Sequence, residues 1–165
     1  MGKIIGGGFP VGAVGGRADL LALCDPDKPR LFHSGTFNGN PVTTAAGLVS
    51  LRHLTADEID AMAVRAAELE TVLSKAAAGL GVPLSFRRSG SMLQLFLSDV
   101  APSAIPERTD GAAMTAFHLA ALNHGVFFAP RGLLALSTVL DDELVGEAGE
   151  RLTAAMADVA AEALD

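Results

Sequence analysis

Residues 2–16 read GKIIGGGFPVGAVGG: a single lysine, Lys3, stands beside a run of glycines and apolar residues. Glycine occupies backbone conformations closed to other residues and lets neighbouring atoms approach closely. The stretch therefore predicts short strands or tight turns, as two apolar segments at 4–8 and 11–15 broken at Phe9-Pro10, rather than a helix. A phosphate-binding P-loop needs its glycines before the lysine and a hydroxyl after it, and Ile4 stands where that hydroxyl would be. The dinucleotide fingerprint G-x-G-x-x-G fails as well, because Phe9 or Val11 falls where a glycine is needed. Two readings remain: a lysine exposed on an edge strand, or a lysine held to form a Schiff base. An ammonium at its ordinary pKa of about 10.4 is not nucleophilic. Apolar flanks such as Ile4 and Ile5 favour the neutral amine, and glycines leave room for a flat ring.

The totals set the frame. With 165 residues, half of them hydrophobic and 19% charged, the chain has the composition of a globular domain. A chain of that length buries roughly two thirds of its unfolded surface, enough for a sizeable core. A net charge of -7 argues against nucleic acid as a partner. One cysteine, Cys24, excludes a disulfide framework and a cysteine-based zinc site, and reads as a small buried hydrophobe. The four histidines, His33, His53, His118 and His124, share no spacing that points to a metal. No apolar run reaches the length of a membrane span and no signal-peptide pattern opens the chain, which predicts a cytoplasmic protein without membrane contact.

Along the chain, residues 17–22 predict a short helix, and HSGTFNGNP at 33–41 is nearly all turn chemistry. Asn40 followed by Pro41 is a good helix start and predicts a helix to about His53. Thr55 with Glu58 forms a capping-box pattern. The helix it opens carries Ile59, Met62, Leu69 and Leu73 on one stripe and stops near Gly79-Leu80-Gly81. Alternation over 82–98, with Leu93, Leu95 and Leu97 on one face, predicts a strand pair ending in the solvated Arg87-Arg88 region. Residues 99–110 are a polar connection, 111–124 a helix closed by Gly125, and VFFAP and LLALS two short strands. Residues 141–163 form a last amphipathic helix with Asp141, Asp142 and Glu143 at its positive end.

Two motifs at this separation, GKIIGGGFPVGAVGGR and HSGTFNGNP, resemble the class III aminotransferases, which depend on pyridoxal phosphate. The branch most similar is that of glutamate-1-semialdehyde aminomutase and its amino-acid aminotransferase relatives. The resemblance continues through RSGSMLQLFL at 88–97 and FHLAALNHGVFFAPRG at 117–132. It implies an α/β fold of the fold type I class: the end of a large-domain sheet, linker helices, then an α+β small domain with antiparallel strands. It further implies that Lys3 forms the Schiff base with pyridoxal 5'-phosphate and then shuttles a proton between the substrate α-carbon and the cofactor. Thr36, with the backbone of Gly35, is implied to bind the phosphate of the neighbouring subunit's cofactor in a homodimer. Arg131 is a candidate for holding a substrate carboxylate, with a solvated or structural arginine as the alternative.

Only Met1 and Gly2 precede Lys3, whereas the family carries upstream an aspartate for the pyridinium nitrogen, an aromatic stacked on the ring and a phosphate turn. The sequence is thus similar to the C-terminal part of the family. Residues 1–54 read as the remnant of the large cofactor-binding domain, 55–81 as a linker helix and 82–165 as the small domain. Residues 1–40 read as edge strands whose partners lie outside the sequence. The expectation is a fragment acting on an amino acid or amino-aldehyde, inactive alone. The competing expectation is a non-catalytic interaction module whose exposed strands pair with another chain.

Overall fold

The structure, a computed structural model, describes residues 1–103 and 111–162. Residues 104–110 of the expected polar connection and residue 163 of the expected last helix lie outside the described residues. The chain divides into two units, Met1–Thr55 and the residues from Ala56 onward.

The second unit opens with the long helix α3, Ala56–Leu80. Its inward stripe is Met62, Ala66, Leu69, Leu73 and Ala77, spaced by the three and four residues that keep one helix face in register. Ile59, expected on that stripe, is 46% exposed; small alanines at 66 and 77 take the inner positions instead. Gly81 adopts φ 69°, and the N–H groups of Gly81 and Val82 return to the carbonyls of Ala78 and Ala77. That paired return is a Schellman closure, open to glycine because of the positive φ. The segment expected as a linker thus supplies core residues to this unit.

The predicted strand pair forms a hairpin, β1 Ser85–Ser89 and β2 Met92–Phe96, turning at Gly90 with φ 56°. Phe86 lies opposite Leu95 and Arg88 opposite Leu93. Leu93 and Leu95 are fully buried, as the alternation requires. A third strand, β3 Leu133–Ala135, pairs antiparallel with the other edge of β2, giving the order β1-β2-β3. The run VFFAP is not a strand. Pro130 and Gly132, at φ 86°, fold the chain into a tight turn in which the Gly132 N–H donates to Ala129 O at 2.8 Å. A single isolated bridge joins Ala129 to Leu133.

Helices α4, Gly111–Asn123, and α5, Asp142–Glu162, complete the unit. Asp141 caps α5 by accepting from the Leu144 N–H at 2.9 Å. Gly149 lets α5 approach α3 closely: a Cβ there would stand 3.3 Å from Val72 Cγ1. Between the helices and sheet lies one cluster containing Leu73, Leu93, Leu95, Phe117, Leu152 and Met156. Phe117 and Phe128 meet with ring centroids 5.4 Å apart. The predicted Arg87-Arg88 strand end is exposed, as expected of a solvated end, and it is tethered as well. Arg87 donates to the carbonyls of Ala101 and Pro102, and Arg88 pairs with Glu70 at 2.9 Å.

The first unit holds α1, Ala18–Leu21, and α2, Pro41–His53. The apolar segments expected as strands at 4–8 and 11–15 differ. Lys3–Gly6 is a turn of 3-10 helix, and a single antiparallel bridge joins Gly2 to Gly12. Gly7 and Gly8, both at positive φ, end any extended run there. Cys24 is half-buried, not enclosed.

Candidate functional site

The backbone of Lys3 opens the 3-10 turn, which closes through Gly7 N–H donating to Ile4 O at 3.2 Å. The turn is seated on α2. Ser50 Oγ donates to Ile4 O at 3.1 Å, across 46 positions of sequence. A Cβ on Gly7 would come within 2.6 Å of Ala46 O, and one on Gly47 would overlap Ile5 O. Local glycine content permits the turn, and a helix far away in sequence holds it.

At the other end of α2 stands the Gly35–Thr36 turn. Asn38 N–H donates to Gly35 O at 3.0 Å and Asn40 N–H to Phe37 O at 3.1 Å, folding 35–40 into consecutive turns, with Gly39 at φ 67°. The Asn40 side chain then accepts from the N–H groups of Val42 and Thr43, so α2 starts where Asn-Pro predicts. Thr43 and Thr44 spend their hydroxyls on Asn40. The Thr36 hydroxyl is exposed and has no hydrogen-bond partner among the described residues. A free hydroxyl on a turn fits an external phosphate oxygen, as the phosphate group of pyridoxal phosphate requires.

Arg131 belongs to the second unit, at the tip of the Ala129–Gly132 turn. Its side chain is exposed and makes no ion pair among the described residues, and its backbone is clamped. Gln94 Nε2 donates to Arg131 O at 2.6 Å and to Leu95 O at 3.1 Å. Gly132 sits so close to β2 that a Cβ would come within 2.7 Å of Leu95 O. Lys3 and Thr36 are thus joined through α2, while Arg131 stands on a separate, rigid turn.

Other titratable groups are spent on structure. His124 Nε2 lies 2.7 Å from an Asp158 carboxylate oxygen, linking α4 to α5. His118 is buried edge-on against Phe127 and Phe128. The Arg17 guanidinium, hydrogen-bonded to Asp19 at 2.7 Å, holds that carboxyl below the ordinary aspartate range. Among the described residues no group of three or more His, Cys, Asp or Glu could hold a metal ion. Nor is any described helix long and apolar enough to cross a membrane.

Gly47, Ser50 and Gln94 are the structural members of these segments that motif reading does not single out. The isolated glycine inside the helical run TTAAGLVS is the one available signal, since glycine in a helix interior calls for a packing reason.

With the geometry in place, comparison with known proteins assigns the family. The chain belongs to the class-III aminotransferases: the family model described as "Aminotransferase class-III" matches residues 1–156. It is 40% identical over 147 residues to glutamate-1-semialdehyde 2,1-aminomutase 2 of Bacillus pumilus (strain SAFR-032), covering 87% of this chain and 34% of that protein. Its identity to the beta-phenylalanine transaminase of Variovorax paradoxus is 41% over 147 residues, covering 86% and 33%. The crystal structure of an omega-transaminase from Sphaerobacter thermophilus superposes with a TM-score of 0.87 at 36% identity, covering 96% of this chain and 38% of that one. The α/β fold type I architecture follows, and pyridoxal 5'-phosphate is the cofactor that family and fold support. The chain spans about a third of the length of the curated relatives it matches.

Proposed function

We propose that this chain supplies the C-terminal part of a class-III aminotransferase or aminomutase site acting on a small amino acid or amino-aldehyde. Lys3 carries the cofactor, Gly35 and Thr36 bind a cofactor phosphate, and Arg131 orients a substrate carboxylate. When bound, pyridoxal phosphate supplies the electron sink that accepts the pair left on the substrate α-carbon. The protein's own work is then positional. Lys3 Nζ would hold the cofactor through its aldehyde and, once freed by the substrate amine, would carry a proton between the substrate α-carbon and the cofactor. An aldehyde-bearing substrate and an amino acid demand the same proton movement, so aminomutase and transaminase share these residues.

The observation that carries the reading is the single helix between the motifs. The Lys3 turn is fixed to α2 at Ala46, Gly47 and Ser50, and the Thr36 turn lies just before its Asn40 cap. From Asn40 to Ser50 the axis rises about 15 Å. The homodimer in which Thr36 serves the neighbouring subunit's cofactor is carried by the family resemblance alone. The chain spans about a third of the length of the relatives it matches, and positioning by a whole site is worth roughly 7–11 kcal/mol of a barrier, so these residues by themselves are not expected to catalyse transamination.

The test is to add pyridoxal phosphate, reduce with borohydride and map the modified peptides. Stoichiometric label on Lys3, lost in Lys3→Ala, is the expected result; label scattered over Lys28 and Lys75 overturns the reading. The exposed apolar residues of the first unit, Phe32 and Phe37 among them, favour a second reading as an interaction module. Self-association with no Lys3 label would select it.

A further inference from the structure

We infer that Gly47 and Ser50 of α2 are positioning residues for Lys3, acting through the Lys3–Gly6 turn; this rests on the reading of Lys3 as cofactor carrier. A four-residue 3-10 turn has poor hydrogen-bond geometry and does not persist by itself. Inside the turn, the closing bond is Gly7 N–H to Ile4 O. Its hold comes from outside, on four consecutive residues. Ile4 O accepts from Ser50 Oγ at 3.1 Å. Ile5 O occupies the space where a side chain at position 47 would begin, and Gly6 Cα stands 3.6 Å from that same point. Gly7, at φ +58°, passes close over Ala46 O.

Thr43, Gly47 and Ser50 lie at i, i+4 and i+7, on one face of α2. Thr43 is buried at 3% exposure and Gly47 is buried above it, so this face is the covered one while Val42, Leu48 and Val49 remain exposed. Glycine is the poorest ordinary helix former, so its place in the middle of α2 needs a reason. The Ile5 carbonyl is that reason. The seat sets where the Lys3 backbone stands along α2, and it does so without touching the Asn40 cap or the Thr36 turn. Gly47 therefore governs the placement of Lys3 relative to the other motif rather than the existence of either.

Three variants of the chain, Gly47→Ala, Ser50→Ala and Ser50→Thr, are tested with pyridoxal phosphate as the probe, by two measurements. The first is reductive labelling by site; the second is the set of backbone amide signals of the chain without cofactor. Gly47→Ala is expected to lower Lys3 label about tenfold, since misplacement by an ångström costs that much or more. Label on Lys28 and Lys75 should not change. Ser50→Ala should give a smaller loss that Ser50→Thr, which keeps the hydroxyl, restores. Amide signals of Ile4–Gly8 should move in Gly47→Ala while those of Val42 and Thr43 at the α2 cap stay in place. Equal Lys3 labelling in Gly47→Ala and the parent overturns the inference. So does loss of the cap signals together with the label, because Gly47 would then be holding α2 itself. An unlabelled Lys3 in the parent chain instead overturns the cofactor-carrier reading on which the inference rests.

Discussion

The two units are opposites in how they use apolar residues. From Ala56 onward, helices and sheet enclose Leu73, Leu93, Leu95, Phe117, Leu152 and Met156 almost completely. In Met1–Thr55 the buried positions among the described residues are Gly6, Thr43 and Gly47, none with a large apolar side chain. There Phe32 is 92% exposed and Val14 72%. Apolar surface left in water forgoes roughly 25 cal/mol per Å² of stabilisation. The unit with its own core carries little of the proposed chemistry, and the unit that carries Lys3 and Thr36 is held by glycine contacts, caps and one hydroxyl. Proposed function and core are distributed on different parts of the chain.

The sharpest way to break that comparison is to empty each unit in turn. Phe117→Ala should destabilise the second unit by about 3–5 kcal/mol in denaturant unfolding, through lost burial and the cavity beside Phe128. Val49→Ala in the first unit should stay within about 0.5 kcal/mol. Comparable losses would mean that Val49 is covered in solution. A smaller effect is expected at the α2 cap. Asn40→Ala removes the acceptor for Val42 and Thr43 and should cost about 1 kcal/mol, read as faster hydrogen exchange of those two amides. Unfolding of the second unit should not shift.

The smallest effect concerns the Arg17–Asp19 pair. Its hydrogen bond lowers the Asp19 pKa, so its contribution is present above the ordinary aspartate value and is lost as pH falls through the lowered one. Both side chains are well exposed, so salt should weaken the shift. An NMR titration of the Asp19 carboxyl at low and high ionic strength checks both points.

Elements with a periodic or capped signature were legible in the sequence: α2 from Asn40-Pro41, α3 from its apolar stripe and Gly81, and the hairpin from alternation. The glycine run was not. Glycine leaves no periodicity to read, and what bends 3–8 into a turn is Ser50 and Gly47, more than forty positions away. The run VFFAP failed for a different reason. Its apolar residues look extended, but the tight turn at Pro130 and Gly132 takes the chain out of the sheet. Motif resemblance names Lys3, Gly35, Thr36 and Arg131 as candidates, yet it is silent on their supports. Gln94 reads as one more strand residue until its amide is seen holding the Arg131 carbonyl.

Helix α2 also acts as a phase reference. Each α-helical residue turns the axis by about 100° and advances it by about 1.5 Å. One residue inserted between Asn40 and Ala46 would leave both motifs chemically intact. It would swing the Thr36 turn about a quarter of a revolution around the axis, away from its present bearing on the Lys3 turn. The distance and the angle between the motifs are therefore written into the length of one helix, where a single insertion changes both together.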